Sequence, residues 1–233
     1  MSNTKILVEN GSAELFETLR ETNVGILKLR TADCASLSSV ILYTLKKLTK
    51  LILWGTYSGR CSLNLPETFQ FISLQEVECS YDWLCSLLIA LSSLEHYVKC
   101  EMYNVVLQPR EYSCEYDSQT HVFDFRSEML ALDMSHMPIF VKSGSVEMFE
   151  LLRDTNIGIL ALRNADFTSS ASKILYTLKK LTKLYLWGIY SERCTLQLPE
   201  TLQFIPLLKV ECSSEWLCSL LIALFSLDHS VKC

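Results

Sequence analysis

A chain of 233 residues with 49% hydrophobic content is long enough for one large domain or two small ones, and too apolar to be disordered. Its net charge of −5, with acidic and basic residues interspersed and no Lys/Arg block, argues against nucleic acid or an anionic membrane surface as the main partner. The start "MSNTKILVENGS" lacks an apolar signal region, and the longest apolar stretch, about twelve residues from Trp216, is too short to span a bilayer, so a cytoplasmic chain is expected.

In chain order, the first expected element is a helix over "SAELFETLRE" (12–21), with no complete repeat before it. The run "VGILKL" (24–29) has the form apolar-x-x-apolar-x-apolar and reads as a short strand. Segment "SVILYTLKKL" (39–48) changes period: Ile41, Leu42, Leu45 and Leu48 fall on one helical face. The runs "LTKLIL" (48–53) and "LQEVEC" (74–79) return to the first form and read as the next strands. An apolar helical run from Trp83 and a strand around Val98 follow. Residues 101–137 are irregular: "QPREYSCEYDSQTHV" (108–122) reads as a loop or insertion, and "MLALDM" (129–134) as the strand of a longer repeat.

From residue 138 the chain repeats itself. Residues 5–100 and 138–233 align at an offset of 133 with 66 identities in 96 positions, and "ILYTLKKLTKL" stands unchanged at 41–51 and 174–184. The second set of strands is "IGILAL" (157–162), "LTKLYL" (181–186) and "LLKVEC" (207–212). In "SSEWLCSLLIALFSL" (213–227), Leu217, Leu220, Leu221 and Leu224 share a helical face. Pro199 in "LPETLQFI" (198–205) suits a first helical turn, where its missing N–H would be unpaired anyway. Leu27, Leu51, Val77 and Val98 are separated by 24, 26 and 21 residues, and Leu160, Leu184, Val210 and Val231 keep those intervals. Strands so spaced, with helices between them, are expected to pair in parallel, because a parallel pair needs a long crossover. Eight or nine strands centred near those residues are expected.

Such runs, at a period in the twenties, resemble leucine-rich-repeat proteins over nearly the whole chain. The sequence looks most like the degenerate arrays of NACHT-type (NOD-like) receptors and their expanded invertebrate relatives. The resemblance implies an α/β leucine-rich-repeat solenoid: one array over 1–233, with a curved parallel sheet on one side and helices on the convex side. Copies 5–100 and 138–233 would be joined by an irregular repeat or loop at 101–137. The second copy stops where the first continues, so a fragment of a longer array is expected, able to oligomerise through its exposed ends. One family feature is missing: the Asn or Cys three positions after the last strand leucine is replaced by Ala32, Thr56, Asp82 and Ala165.

Chemistry is harder to find. There is no GxGxxG, GxxxxGK[ST], GxSxG or HExxH. His96 and His229 each precede a cysteine by four residues (Cys100, Cys233), but two further zinc ligands at tetrahedral spacing are lacking. The ten cysteines stand singly on apolar stretches and read as reduced core thiols. Glu76, Glu78 and Asp82 read as a solvated surface. No catalytic residue, cofactor or metal ligand is expected.

What remains is the strand face turned away from the core. Its first outward column reads Lys28, Ile52, Glu78 and Lys99, then Ala161, Tyr185, Glu211 and Lys232. A second column reads Arg30, Trp54 and Ser80, then Arg163, Trp187 and Ser213. With neighbouring strands about 4.8 Å apart, Arg30 is expected to stack on Trp54 and Arg163 on Trp187. Glu78 should face Lys99, and Glu211 should face Lys232. Exposed Trp, Tyr and Arg dominate binding hot spots. The expected function is non-enzymatic: a ligand-sensing or autoinhibitory module that binds a microbial or self protein within a larger intracellular innate-immune receptor. The alternative is an adaptor array recruiting substrates to a ubiquitin ligase.

Overall fold

The computed structural model describes residues 4–9, 18–19, 22–30, 42–61, 63–108, 132–143, 146–165, 169–191 and 196–233. Its strands are β1 (Thr4–Glu9), β2 (Val24–Arg30), β3 (Lys50–Tyr57), β4 (Phe71–Cys79), β5 (Lys99–Tyr103), β6 (Val106–Leu107), β7 (Asp133–Met134), β8 (Ile139–Lys142), β9 (Asn156–Ile157), β10 (Ile159–Arg163), β11 (Lys183–Tyr190) and β12 (Leu207–Cys212). Helices are α1 (Tyr81–Ser92), α2 (Val146–Leu152), α3 (Ser169–Thr177) and α4 (Ser214–Phe225). The class is α/β, and the main sheet is parallel throughout, in the order β1-β2-β3-β4-β5-β8-β10-β11-β12. Sheet order is therefore chain order. β6 extends the far end of β4, and β7 pairs with β9 in a separate two-stranded sheet.

Alternation within each strand builds the core. Leu27, Leu51, Ile72, Cys100, Ile139, Leu160 and Leu184 lie in register across seven strands, and each is fully buried. Two residues on, Leu29, Leu53, Leu74, Met102, Val141, Leu162 and Leu186 form a second buried row. Each fully buried apolar side chain contributes about 1.5–3 kcal/mol, so the rows fix the register: a slip of one residue would turn both rows out to solvent.

The expected equivalence holds for Leu27 with Leu51 and for Leu160 with Leu184, but Val77 does not join that row; Ile72 does. The cause is a β-bulge. Gln75 and Glu76 together oppose Trp54, and Leu208 and Lys209 oppose Trp187. The extra residue of each pair takes a left-handed conformation, φ 52° at both Glu76 and Lys209, matched across the strand by Gly55 (φ 101°) and Gly188 (φ 105°). Val98, expected at the centre of a strand, is buried just before β5, and its place in the row belongs to Cys100. Around Val231 there is only a bridge, between Lys232 and Phe204.

Helices cover the side of the sheet that carries the two rows. Ser80 caps α1 by accepting from the Trp83 amide at 3.2 Å, and Ser213 caps α4 from the Trp216 amide at 3.1 Å. Trp83, Leu84, Leu87, Leu88 and Leu91 of α1 are buried in one core with the strand leucines. The same positions of α4 fare differently: Leu220 is buried, but Leu217 and Leu221 are 39% and 45% exposed. In "SVILYTLKKL", residues 42–44 are helical and Leu42, Leu45 and Leu48 are buried; Ile41 lies outside the described residues.

The helix expected over 198–205 is absent. Leu202 donates to the Pro199 carbonyl at 3.1 Å, as Phe69 does to Pro66 at 3.0 Å, closing one turn only. Thr201 and Thr68 then bond back to the carbonyls of Leu181 and Leu48 (both 2.9 Å), and the chain leaves extended. Of "MLALDM", Asp133–Met134 is strand, though outside the main sheet, and 129–131 lie outside the described residues. So do most of 108–122 and all but Thr18 and Leu19 of the expected N-terminal helix. β5 pairs directly with β8, so residues 104–138 insert no strand between the two copies.

Asn164 bonds the backbone of the turn that follows β10. Its side-chain oxygen accepts from the Ile189 amide at 3.1 Å, while its own amide donates to the Trp187 carbonyl at 3.2 Å. It stands one residue before Ala165, with φ 50°. Any Cβ on Gly188 would fall on Asn164 Oδ1.

Candidate functional site

Strand alternation sends every second residue to the face opposite the two leucine rows. Three columns of side chains result. The first runs Ile26, Lys50, Phe71, Lys99 and, in the second copy, Ile159, Lys183, Phe204, Lys232. Lysines and phenylalanines alternate here, and their contacts follow. Lys50 Nζ lies 4.0 Å from the Phe71 ring centroid, and Lys99 Nζ 5.7 Å from the same ring and 4.1 Å from Phe140. Lys183 and Lys232 both stand 5.6 Å from Phe204. Each ring quadrupole thus holds an ammonium group near its face.

The middle column runs Lys28, Ile52, Ser73, Glu101, Phe140, Ala161, Tyr185. Ile52 (6% exposed), Ser73 (1%) and Ala161 (0%) are buried, so they can offer a ligand almost nothing. The outward position of Ile52 and Ala161 is as expected, but their exposure is not. Glu101 is the acidic centre. It accepts from Lys99 Nζ at 2.7 Å and from the Tyr103 hydroxyl at 2.9 Å. Burial, then the bond to Glu101, push the Tyr103 phenol up to about 12, against the opposing pull of Arg163.

The outer column carries Arg30 beside Trp54, then Gln75, Tyr103, Lys142, Arg163 and Trp187. Arg30 and Trp54 are neighbours in register, as are Arg163 and Trp187, but the stacking differs from expectation. The cation over Trp54 is Lys28, with Nζ 5.9 Å from the ring. Trp187 has Phe140 as its ring neighbour, at 6.1 Å and 55°. Arg30 and Arg163 end their strands and are exposed. Trp54 and Trp187 are half-buried, whereas Trp83 and Trp216 are 1% exposed.

Glu78 and Glu211 do not face Lys99 and Lys232. Beyond the bulge Glu78 pairs with Thr56 and Val106, with Gln108 Nε2 at 3.4 Å from its carboxylate, and Glu211 pairs with Ile189. The one-residue insertion moves both glutamates out of the lysine column, which pairs with Phe71 and Phe204 instead.

Sequence reasoning missed Lys50, Lys183, Phe71, Phe204, Phe140, Glu101, Tyr103 and Lys142. Lys50 and Lys183 were within reach, since each sits two residues before an outward position in a duplicated "LTKL". Phe71 and Phe204 were hidden by the helical reading of their segment. The two repeat histidines are structural: the His96 ring bonds the Phe69 carbonyl, and His229 Nε2 lies 2.6 Å from the Leu202 carbonyl. Among the described residues no group of three or more His, Cys, Asp or Glu could hold a metal ion, and no helix is long and apolar enough to cross a membrane. Comparison with known proteins finds no family model, no curated protein and no solved structure that matches this chain.

Proposed function

We propose that this chain is a non-enzymatic recognition module of the leucine-rich-repeat kind, a solenoid that binds a protein ligand on its open sheet face. The observation that carries the reading is the pairing of two properties in one surface. Sheet order follows chain order with parallel strands throughout, and the face opposite the leucine rows presents half-buried Trp54, Trp187 and Tyr185 among lysines and arginines. Half-exposed aromatics and Arg are the side chains that anchor protein interfaces. Resemblance to NACHT-type receptors extends the proposal to a cytoplasmic, ligand-sensing segment of a larger innate-immune receptor.

The test is a peptide-display selection against the whole chain. Binders should lose affinity on Trp54→Ala or Trp187→Ala and keep it on substitution of exposed helix-side residues such as Tyr176. Binders indifferent to both tryptophans would sink the proposal.

A further inference from the structure

Basic residues look scattered along the chain, yet the sheet register gathers them. From β2 to the Lys232 bridge, the three columns hold eight Lys or Arg and one Glu, Glu101, in a chain of net charge −5. Nearly every strand contributes a cation, and none contributes two in sequence, which is why no Lys/Arg block is visible. We infer that this face binds an extended polypeptide segment rich in Asp and Glu, with its carboxylates seated on the lysine–phenylalanine column. The inference rests on the recognition reading above and names the chemistry of its ligand.

One observation selects carboxylates over nucleic acid, the other polyanion a basic and aromatic face could take. The rings are occupied. Phe71 lies between Lys50 and Lys99, and Phe204 between Lys183 and Lys232. A nucleobase stacking on these rings would have to displace ammonium groups, whereas a carboxylate adds to them.

Spacing constrains the ligand further. Lys50 and Lys99 are two strands apart, as are Lys183 and Lys232, or about 9.6 Å at the usual strand separation. Three residues of a polyproline-II segment span about 9.3 Å and return the side chain to the same face. A segment crossing the strands with an acidic residue at every third position meets both Lys183 and Lys232; in the first pair Lys99 is already bonded to Glu101, so Lys50 carries the contact there.

The experiment is fluorescence anisotropy on the full chain with three labelled probes of equal length: a peptide with Glu at every third position, its Gln counterpart, and oligothymidylate. The Glu peptide should bind about tenfold or more tightly than the Gln peptide, and weaken several-fold between ~50 and ~300 mM salt. A double charge reversal, Lys50→Glu with Lys183→Glu, should weaken it about tenfold or more. Lys47→Glu with Lys180→Glu, equal in net charge but on exposed turns beyond the face, should leave it unchanged. Equal binding of Glu and Gln peptides, tighter binding of oligothymidylate, or equal loss in the two double variants would overturn the inference. Display binders that need Trp54 and Trp187 but show no excess of Asp or Glu would also overturn it, while leaving the recognition reading intact.

Discussion

The indole of Trp83 stacks on the phenol ring of Tyr57 with centroids 4.6 Å apart, and 133 residues later Trp216 stacks on Tyr190 at 4.7 Å. Each tyrosine hydroxyl sits between two carbonyls: Tyr57 donates toward those of Leu29 and Trp54, Tyr190 toward those of Leu162 and Trp187. One aromatic pair therefore ties a helix to the ends of two strands.

That arrangement separates the four tryptophans energetically. Trp83→Ala and Trp216→Ala each remove a buried indole and should cost about 3–5 kcal/mol. Trp54→Ala and Trp187→Ala remove half-exposed rings and should cost about 1 kcal/mol. Denaturant melts of the four variants check this; equal, large losses at all four sites would place Trp54 and Trp187 in the core.

Gly188→Ala should lose about 1–3 kcal/mol, because its φ of 105° disfavours a side chain and the new methyl meets Asn164 Oδ1. Gly59 has φ 75° but open space around it, so Gly59→Ala carries the backbone cost alone and should lose less. Matching losses in thermal melts would remove the Asn164 contact from the account.

Equivalent cysteines should react differently. Cys79, Cys85 and Cys100 are buried, while their counterparts Cys212, Cys218 and Cys233 are exposed. Timed alkylation with peptide mapping should label the second set under native conditions and spare the first until the chain unfolds. Indistinguishable labelling of Cys85 and Cys218 would contradict the described burial.

Burial pushes the Cys79 and Cys100 thiols up from 9.0 to about 12, with smaller contributions from Cys85 and Glu78 at Cys79 and from Glu101 at Cys100. The folded chain keeps protons that the unfolded chain releases above pH 9. This stability is complete below about pH 9 and falls toward pH 12, by about 1.4 kcal/mol per pH unit for each thiol. Urea melts across that range should show the decline, and Cys100→Ala should make it shallower. A flat profile would mean that neither thiol is held protonated by the fold.

The sequence made the leucine rows legible wherever the strand pattern stood beside a clear helix, as for Leu27 and Leu51. It misled at Ile72, because "FISLQEVEC" contains two apolar sets joined by a bulge, and the second set, Val77 and Cys79, fits the repeat template better than the first. Phe71 and its lysine neighbours were lost with that register. Lys28 over Trp54, and Lys99 between two phenylalanines, depend on diagonal reach across strands, which residue spacing alone does not encode. The outward tryptophans were found because alternation settles the face of a strand even when its partner is misaligned.

The direct pairing of β5 with β8 has a consequence for how such a chain can change length. That seam joins the last strand that one 133-residue unit adds to the main sheet path to the first strand of the next, and both sides already carry matching core residues, Cys100 against Ile139 and Met102 against Val141. Another unit spliced in at this seam would add its own strands and restore the same edges on either side. Unequal recombination between the two related halves, identical at 66 of 96 aligned positions, would thus yield chains that fold on arrival, longer or shorter by a whole unit. Each added unit would bring another Lys-Phe-Lys rung set, so reach along a ligand could evolve in fixed increments without redesign of any existing contact.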